Sequence, residues 1–173
     1  MFTESALIVP VPAAEQLVGS WRRQFDRAAR WGIPAHITLV YPFAAPEAID
    51  AGAVSRLRAL FRRAERVAYS LVETRRFGDQ VLYLAPSPDE PFRLLTKIIM
   101  AEFPDYPPYG GAFSEVIPHL TIADGAPLEE IAMAEEAVTP GLPLRCSAAE
   151  AWLMAGRAEE ASWAVVERFA LGA

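Results

Sequence analysis

The sequence predicts an α+β fold with largely antiparallel sheets, and three observations lead there. Strand-like and helix-like segments are mixed along the chain, and several strands pair through short turns. That pattern differs from the strict alternation of a doubly wound parallel sheet. Apolar residues make up 53% of the chain and charged residues 22%, which supports a packed core and excludes a disordered polymer. The length of 173 residues fits one domain, spanning 1–173, or one domain made of two similar halves.

Ala6 to Val11 is a continuous apolar run and reads as a buried strand. Ala13 to about Arg30 reads as a helix, with Leu17, Trp21 and Phe25 at a spacing of four. Gly32 and Pro34 end it. His36 to Val40 is a short strand closed by Pro42. Ala48 to Arg63 is a second helix, with Val54, Leu57 and Phe61 facing the core. Val67 to Thr74 and Val81 to Leu84 form a strand pair around the turn Phe77-Gly78-Asp79. Glu90 to Glu102 is a third helix. Residues 104–112, rich in Pro, Tyr and Gly, read as a loop. Ile117 to Ala123 is a strand, and Pro127 to Val138 a helix with Pro127 near its first turn. Leu144 to Met154 and Ser162 to Leu171 are the expected last two strands.

Charge and composition narrow the function classes. The net charge is −6, split as +3 over residues 1–86 and −9 over 87–173. An acidic chain is a poor binder of long duplex nucleic acid, whose affinity comes from neutralising many phosphates. A small or terminal phosphate needs only a few local donors. No apolar run approaches the ~18 residues of a membrane span, so no membrane partner is expected. The start Met1-Phe2-Thr3-Glu4 lacks the basic and apolar regions of a secretory signal. The single cysteine, Cys146, excludes an internal disulfide and any Cys-rich zinc module. These features point to a cytoplasmic protein, and a monomer is expected.

The chain has two histidines, and their surroundings match. One lies in His36-Ile37-Thr38-Leu39, the other in His119-Leu120-Thr121-Ile122, with Pro34 and Pro118 shortly before them. Ser and Thr occupy 14 of 173 positions. Two histidines each having one at +2 by accident is a chance of about 0.6%, before the aliphatic residues are counted. Strand side chains alternate faces, so each His-Thr pair points one way and each aliphatic pair the other. If the halves are related by a pseudo-twofold, two imidazoles and two hydroxyls converge on one ligand. That set suits phosphoester chemistry without metal. One imidazole takes a proton from water or a hydroxyl, and the other protonates the leaving oxygen. The Thr hydroxyls hold the non-bridging oxygens. A 2′,3′-cyclic phosphate, strained and carrying its own leaving hydroxyl, is a natural target.

At these residues the sequence resembles the 2H phosphoesterase superfamily, in its 2′-5′ RNA ligase-like branch, which includes 2′,3′-cyclic phosphodiesterases. The hallmark is two His-x-Thr/Ser-x motifs, matched at 36–39 and 119–122. The resemblance implies a bilobal, internally duplicated α+β fold, with two largely antiparallel sheets and flanking helices around a central cleft. It implies that His36 and His119 are catalytic and that Thr38 and Thr121 bind phosphate. It implies no metal and no cofactor. The expected partner is a small nucleotide or RNA end, with 2′-5′ ligation as the reverse-type reaction when an RNA 5′-hydroxyl attacks.

Other residues are candidates on weaker patterns. Tyr41 and Phe43 follow the first motif and either stack on a base or pack under the adjoining loop. Tyr106, Tyr109 and Phe113 precede the second motif and wall the same cleft or belong to a plain loop. Arg75 and Arg76, near the hairpin, reach a phosphate or sit in solvent, and seven Arg between Arg56 and Arg76 form a solvated face or an RNA footprint. Trp21, Trp152 and Trp163 read as core. Two alternatives to the enzyme reading stand beside it. One is a non-catalytic module that binds a nucleotide or RNA terminus in the same cleft. The other is a metal-dependent hydrolase, although no His-Glu-x-x-His spacing is present.

Overall fold

The computed structural model describes residues 1–113 and 115–172. Among the described residues, eight strands form two four-stranded sheets, and every strand pairing is antiparallel. The first sheet contains β1 (Glu4–Pro10), β2 (His36–Val40), β7 (Glu150–Gly156) and β8 (Ala164–Ala170), in the order β2-β1-β7-β8. The second contains β3 (Val67–Phe77), β4 (Val81–Ser87), β5 (Leu120–Asp124) and β6 (Leu144–Ala148), in the order β5-β4-β3-β6. The predicted α+β class with antiparallel sheets is therefore what the chain forms.

Each strand's burial follows its place. β1 lies inside its sheet and is buried from Ser5 to Pro10, which accounts for its unbroken apolar run. β8, at an edge, shows alternation with only Phe169 fully buried. Five helices cover the sheets: α1 (Glu15–Phe25), α2 (Arg27–Arg30), α3 (Ala51–Arg63), α4 (Glu90–Glu102) and α5 (Leu128–Val138). Asp50 caps α3 by accepting the Ala53 N–H at 2.7 Å, and Ala53, Leu57 and Phe61 then line up toward β8, where Phe61 stacks on Phe169 at 5.2 Å.

The packing crosses between the two halves of the chain. α1 lies against β5 of the second sheet, and α4 lies against β2 of the first. Thr96 on α4 donates to the Leu39 carbonyl of β2 at 3.0 Å. The edge strands β2 and β5 also touch one another, so the two sheets meet along the strands that carry the histidine motifs. A single large core runs through both sheets, with Leu7, Leu39, Leu57, Leu84, Leu120 and Leu153 fully shielded from water.

Several boundaries depart from expectation. The long first helix breaks at Asp26, whose extended backbone ends α1 and whose carboxylate accepts the Ala28 N–H at 2.9 Å to start α2. The buried stripe of α1 is Val18, Gly19 and Arg22, while Leu17, Trp21 and Phe25 pack at the core's margin. The segment expected as one strand over 144–154 is two: β6 joins the second sheet, β7 the first, and the chain switches sheets at Ala149. The strand expected from Ile117 begins at Leu120, which leaves His119 immediately before it. Among the described residues, no helix is long and apolar enough to cross a membrane.

Candidate active site

The alternation inferred for the first motif is present. Ile37 and Leu39 are fully buried on the core side of β2, while His36 and Thr38 are half-buried on the other. Thr38 pairs with Ile8 and His36 with Pro10 of β1. In the second motif, Leu120 and Ile122 are fully buried and Thr121 is half-buried, opposite Tyr83 of β4. All four motif side chains, His36, Thr38, His119 and Thr121, line one cavity of about 490 Å³. That size suits a small ligand.

The imidazoles are held identically. Nδ1 of His36 lies 2.7 Å from the Pro34 carbonyl, and Nδ1 of His119 lies 2.7 Å from the Ile117 carbonyl. A carbonyl only accepts, so each Nδ1 carries the proton and donates it, which leaves each Nε2 as the bare nitrogen. The prolines at 34 and 118 fall within these two clamps. His119 is also packed by the Phe77 ring at 5.0 Å and the Tyr83 ring at 5.4 Å, both tilted steeply to it.

Burial sets the charge of both rings. It pushes His36 down to about 3; the Arg22 charge pushes the same way, and the Pro34 clamp opposes it. His119 is also lowered by burial, against the Ile117 clamp and the carboxylate of Asp26, which both favour its charged form. Burial thus favours the neutral form of both imidazoles, and a charge on His119 further disfavours one on His36. Each can act as a base, and each gains affinity for a proton when an anion enters.

The rest of the cleft is largely aromatic and aliphatic. Ala6 and Ile8 of β1 form a floor beside Thr38, and Trp31, Tyr41 and Trp163 form a wall. Trp31 stacks on Trp163 at 6.3 Å with 9° between the planes. Tyr41 donates to Glu4 at 2.9 Å; burial and that carboxylate push its hydroxyl up to about 12, so it stays protonated. Tyr109 and Phe113, which also line the cleft, meet edge to face at 5.5 Å. Tyr109 has φ 53°, a left-handed conformation that costs a non-glycine residue about 1 kcal/mol, and its N–H bonds the Tyr41 carbonyl at 2.7 Å. That bond ties the Pro/Tyr/Gly loop to the end of the first motif strand. Among the described residues lining the cleft, Arg27 is the one Lys or Arg, and it pairs with Asp124 at 3.7 Å. Among the described residues no group of three or more His, Cys, Asp or Glu is arranged to hold a metal ion.

Some candidates lie elsewhere. Phe43 is 5% exposed and sits edge-on against Phe103 and Tyr106 in the core, so neither Phe43 nor Tyr106 reaches the cleft. Arg75 pairs with Glu73 and Arg76 with Glu135, outside the cavity. Trp163, expected in the core, is 6% exposed and packs with Ala6, Ile8, Ile33 and Met154, and its ring also borders the cleft. Trp31, Phe77, Arg27 and Asp26 line the cleft without any motif signal.

A family model described as the 2′-5′ RNA ligase superfamily matches residues 9–160. A curated protein of Bacillus licheniformis, named "Putative phosphoesterase", is 27% identical over 174 residues, covering 96% of this chain and 97% of the relative. Two solved structures share the fold. Escherichia coli LigT complexed with 3′-AMP superposes with a TM-score of 0.63 at 19% identity, over 100% of both chains. TT0787 of Thermus thermophilus superposes with a TM-score of 0.66 at 17% identity, over 98% of both chains.

Proposed function

The chain belongs to the 2′-5′ RNA ligase superfamily, and from that premise we propose that it is a metal-independent phosphoesterase that opens 2′,3′-cyclic phosphates of small nucleotides or RNA ends. The observation that supports this reading is the paired clamp: two imidazoles, each with Nδ1 fixed on a carbonyl at 2.7 Å, line one cleft with two threonine hydroxyls.

The chemistry follows from those groups. The bare Nε2 of one histidine takes a proton from a water molecule, whose oxygen forms a bond to phosphorus. The other histidine, protonated once the anion is bound, gives its Nε2 proton to the ribose oxygen as that P–O bond breaks. The product is a ribose phosphomonoester with one free hydroxyl, a 2′-phosphate when the 3′-oxygen leaves. Thr38 and Thr121 donate to the non-bridging oxygens as charge grows there. Attack by an RNA 5′-hydroxyl in place of water forms a 2′-5′ linkage by the same proton transfers.

The aromatic wall supports a nucleoside as the remainder of the substrate. Trp31, Tyr41, Trp163 and Tyr109 offer faces and edges to a base, and such stacking contributes about 1–3 kcal/mol per base. LigT was solved with 3′-AMP, a nucleotide of this size. Arg27 at the cleft is paired with Asp124, and the nearby Glu115 holds Arg93, so the cleft offers no surplus of positive charge to a long polyanion. The two sheets, each contributing one motif from an edge strand, are read as the lobes of a duplicated domain.

The test is a panel of 2′,3′-cyclic nucleotides, RNA oligonucleotides with cyclic ends and ADP-ribose cyclic phosphate, with products resolved by isomer. Wild type is expected to turn over at least one of them, with or without EDTA. His36→Ala and His119→Ala are each expected to lower turnover ~10²–10⁴-fold with the circular dichroism spectrum unchanged. Variants as fast as wild type, or a protein that binds a 2′-nucleotide and converts no cyclic phosphate, would overturn the proposal.

A further inference from the structure

We propose that Arg22 is a positioning residue, a buried brace that fixes the spacing of the two motif segments and, through them, of His36 and His119. Its effect on turnover rests on the phosphoesterase reading, whereas the brace itself is a property of the free protein.

The two motifs have no ladder between them. β2 and β5 are each the edge strand of their own sheet. They touch, but among the described residues no row of backbone hydrogen bonds joins one to the other and sets their distance. α1 packs on β5, and from it Arg22, 2% exposed, reaches both segments. Its Nε donates to the carbonyl of Thr121, two residues after His119, at 3.2 Å. Nη1 and Nη2 reach the carbonyl of Ile33, three residues before His36, at 3.4 Å. Glu15, on the same helix, accepts the Ala35 N–H and lies 4.0 Å from Nη1 of Arg22. Asp26 holds the guanidinium through Oδ2, which accepts from Nε and Nη2 at 3.1 and 2.8 Å.

These anchors enclose the clamp of the first histidine. Nδ1 of His36 bonds the Pro34 carbonyl, and Pro34 sits between the Ile33 carbonyl held by Arg22 and the Ala35 N–H held by Glu15. On the other side His119 lies between its own clamp at Ile117 and the anchor at Thr121. A shift of either backbone segment therefore carries its imidazole with it. Packing alone does not call for the ion pair, since apolar residues of similar volume are often as stable in such a place or more so. Spanning two segments does call for arginine. The guanidinium is a planar fork with five donors in fixed directions, and it meets two carbonyls and a carboxylate together. A lysine ammonium gathers its donors at one point and lacks that span.

The test compares three full-length variants with wild type, each under conditions where urea titration shows it fully folded. Arg22→Lys keeps the charge and loses the fork. Arg22→Met/Asp26→Asn removes both charges and keeps the oxygen that accepts from Ala28. Asp26→Asn alone leaves Arg22 on both carbonyls and is the control. In the first two, kcat on a cyclic nucleotide is expected to fall ~10–100-fold with KM within about threefold, because a misplacement of about 1 Å can cost 10²-fold. The control should lose less than the double variant. Amide relaxation dispersion reads the brace without substrate: new microsecond-to-millisecond exchange is expected at residues 33–38 and 119–122 in those two variants. If the double variant does not fold, Arg22→Lys decides. A kcat within about twofold of wild type in either folded variant would overturn the inference, whatever happens to stability, and so would a double variant no slower than Asp26→Asn. If wild type opens no cyclic phosphate, the activity reading falls and relaxation alone decides. Motif amides newly in exchange would then support the brace, and amides as quiet as in wild type would overturn it.

Discussion

The neutrality of His36 has a stability cost that can be measured. Its folded-state pKa of about 3 lies well below the ordinary value of 6.5. Below about pH 6.5 the unfolded chain takes up a proton at this position and the folded chain does not. Stability linked to His36 is therefore fully present above about pH 6.5, declines as the pH falls, and levels off below about pH 3. Each pH unit inside that window costs about 1.4 kcal/mol for one proton. Between about pH 7.5 and 4.5 the limiting loss is about 2.7 kcal/mol, and the ring's residual contact with cleft water brings the expectation to about 1–3 kcal/mol. The perturbation is His36→Gln, which removes the titration but keeps a polar side chain of similar reach.

Urea unfolding followed by fluorescence of the four tryptophans gives the stability of each protein at both pH values. Carboxylates and His119 contribute equally to wild type and variant, so the difference of differences isolates His36. Wild type is expected to lose about 1–3 kcal/mol more than the variant over this range. If the two lose the same amount to within about 0.5 kcal/mol, the ring is not held neutral by its burial.

Two further predictions concern the cleft. Thr38→Val and Thr121→Val keep the branched shape of a strand residue but remove the hydroxyl. Each should lower kcat on a cyclic nucleotide ~10²–10³-fold with KM little changed, as for loss of one oxyanion donor. Gly156 stands against the cleft wall, where an added Cβ would lie 2.4 Å from the Trp163 ring. Gly156→Ala should displace that indole and raise KM for cyclic nucleotides several-fold more than for a cyclic phosphate lacking a base. Equal effects on both substrates would place the base away from Trp163.

The motif strands were readable because alternation is a local rule. Once His36-Ile37-Thr38-Leu39 is a strand with one buried face, the outward positions of His36 and Thr38 follow from backbone geometry. What local pattern does not contain is the identity of the neighbour. Arg22 was lost for this reason. The apolar spacing of Leu17, Trp21 and Phe25 marks one stripe of α1, but the helix turns its adjacent stripe inward, where Thr121 and Ile33 offer carbonyls from distant parts of the chain. Trp163 reads as core by composition and is buried, but that its ring also borders the cleft depends on Trp31 and Tyr41, which come to it from distant parts of the chain. Phe43 shows the converse. It lies two residues beyond Tyr41, yet its ring packs against Phe103 and Tyr106 while Tyr41 meets Trp163.

The crossing of the helices bears on how such a site stays assembled. A cleft between two sheets, joined only at edge strands, would let the two histidines drift with any motion of one sheet against the other. Here α1 packs on β5 and α4 on β2, so each motif strand is backed by a helix from the opposite half of the chain. Separating the sheets would expose the core faces of both motifs, where Ile37, Leu39, Leu120 and Ile122 are fully buried. At about 1.5–3 kcal/mol for each such side chain, opening the site costs about as much as unfolding a small domain. The imidazoles are therefore held at a fixed separation, and under the proposed function groups pre-positioned in this way need no reorganisation when a phosphate arrives. The Arg22 fork, reaching both motif segments from one helix, adds a polar tie along the same seam. The aromatic loop around Tyr109, which also lines the cleft, is tied to the same motif strand through the Tyr41 carbonyl.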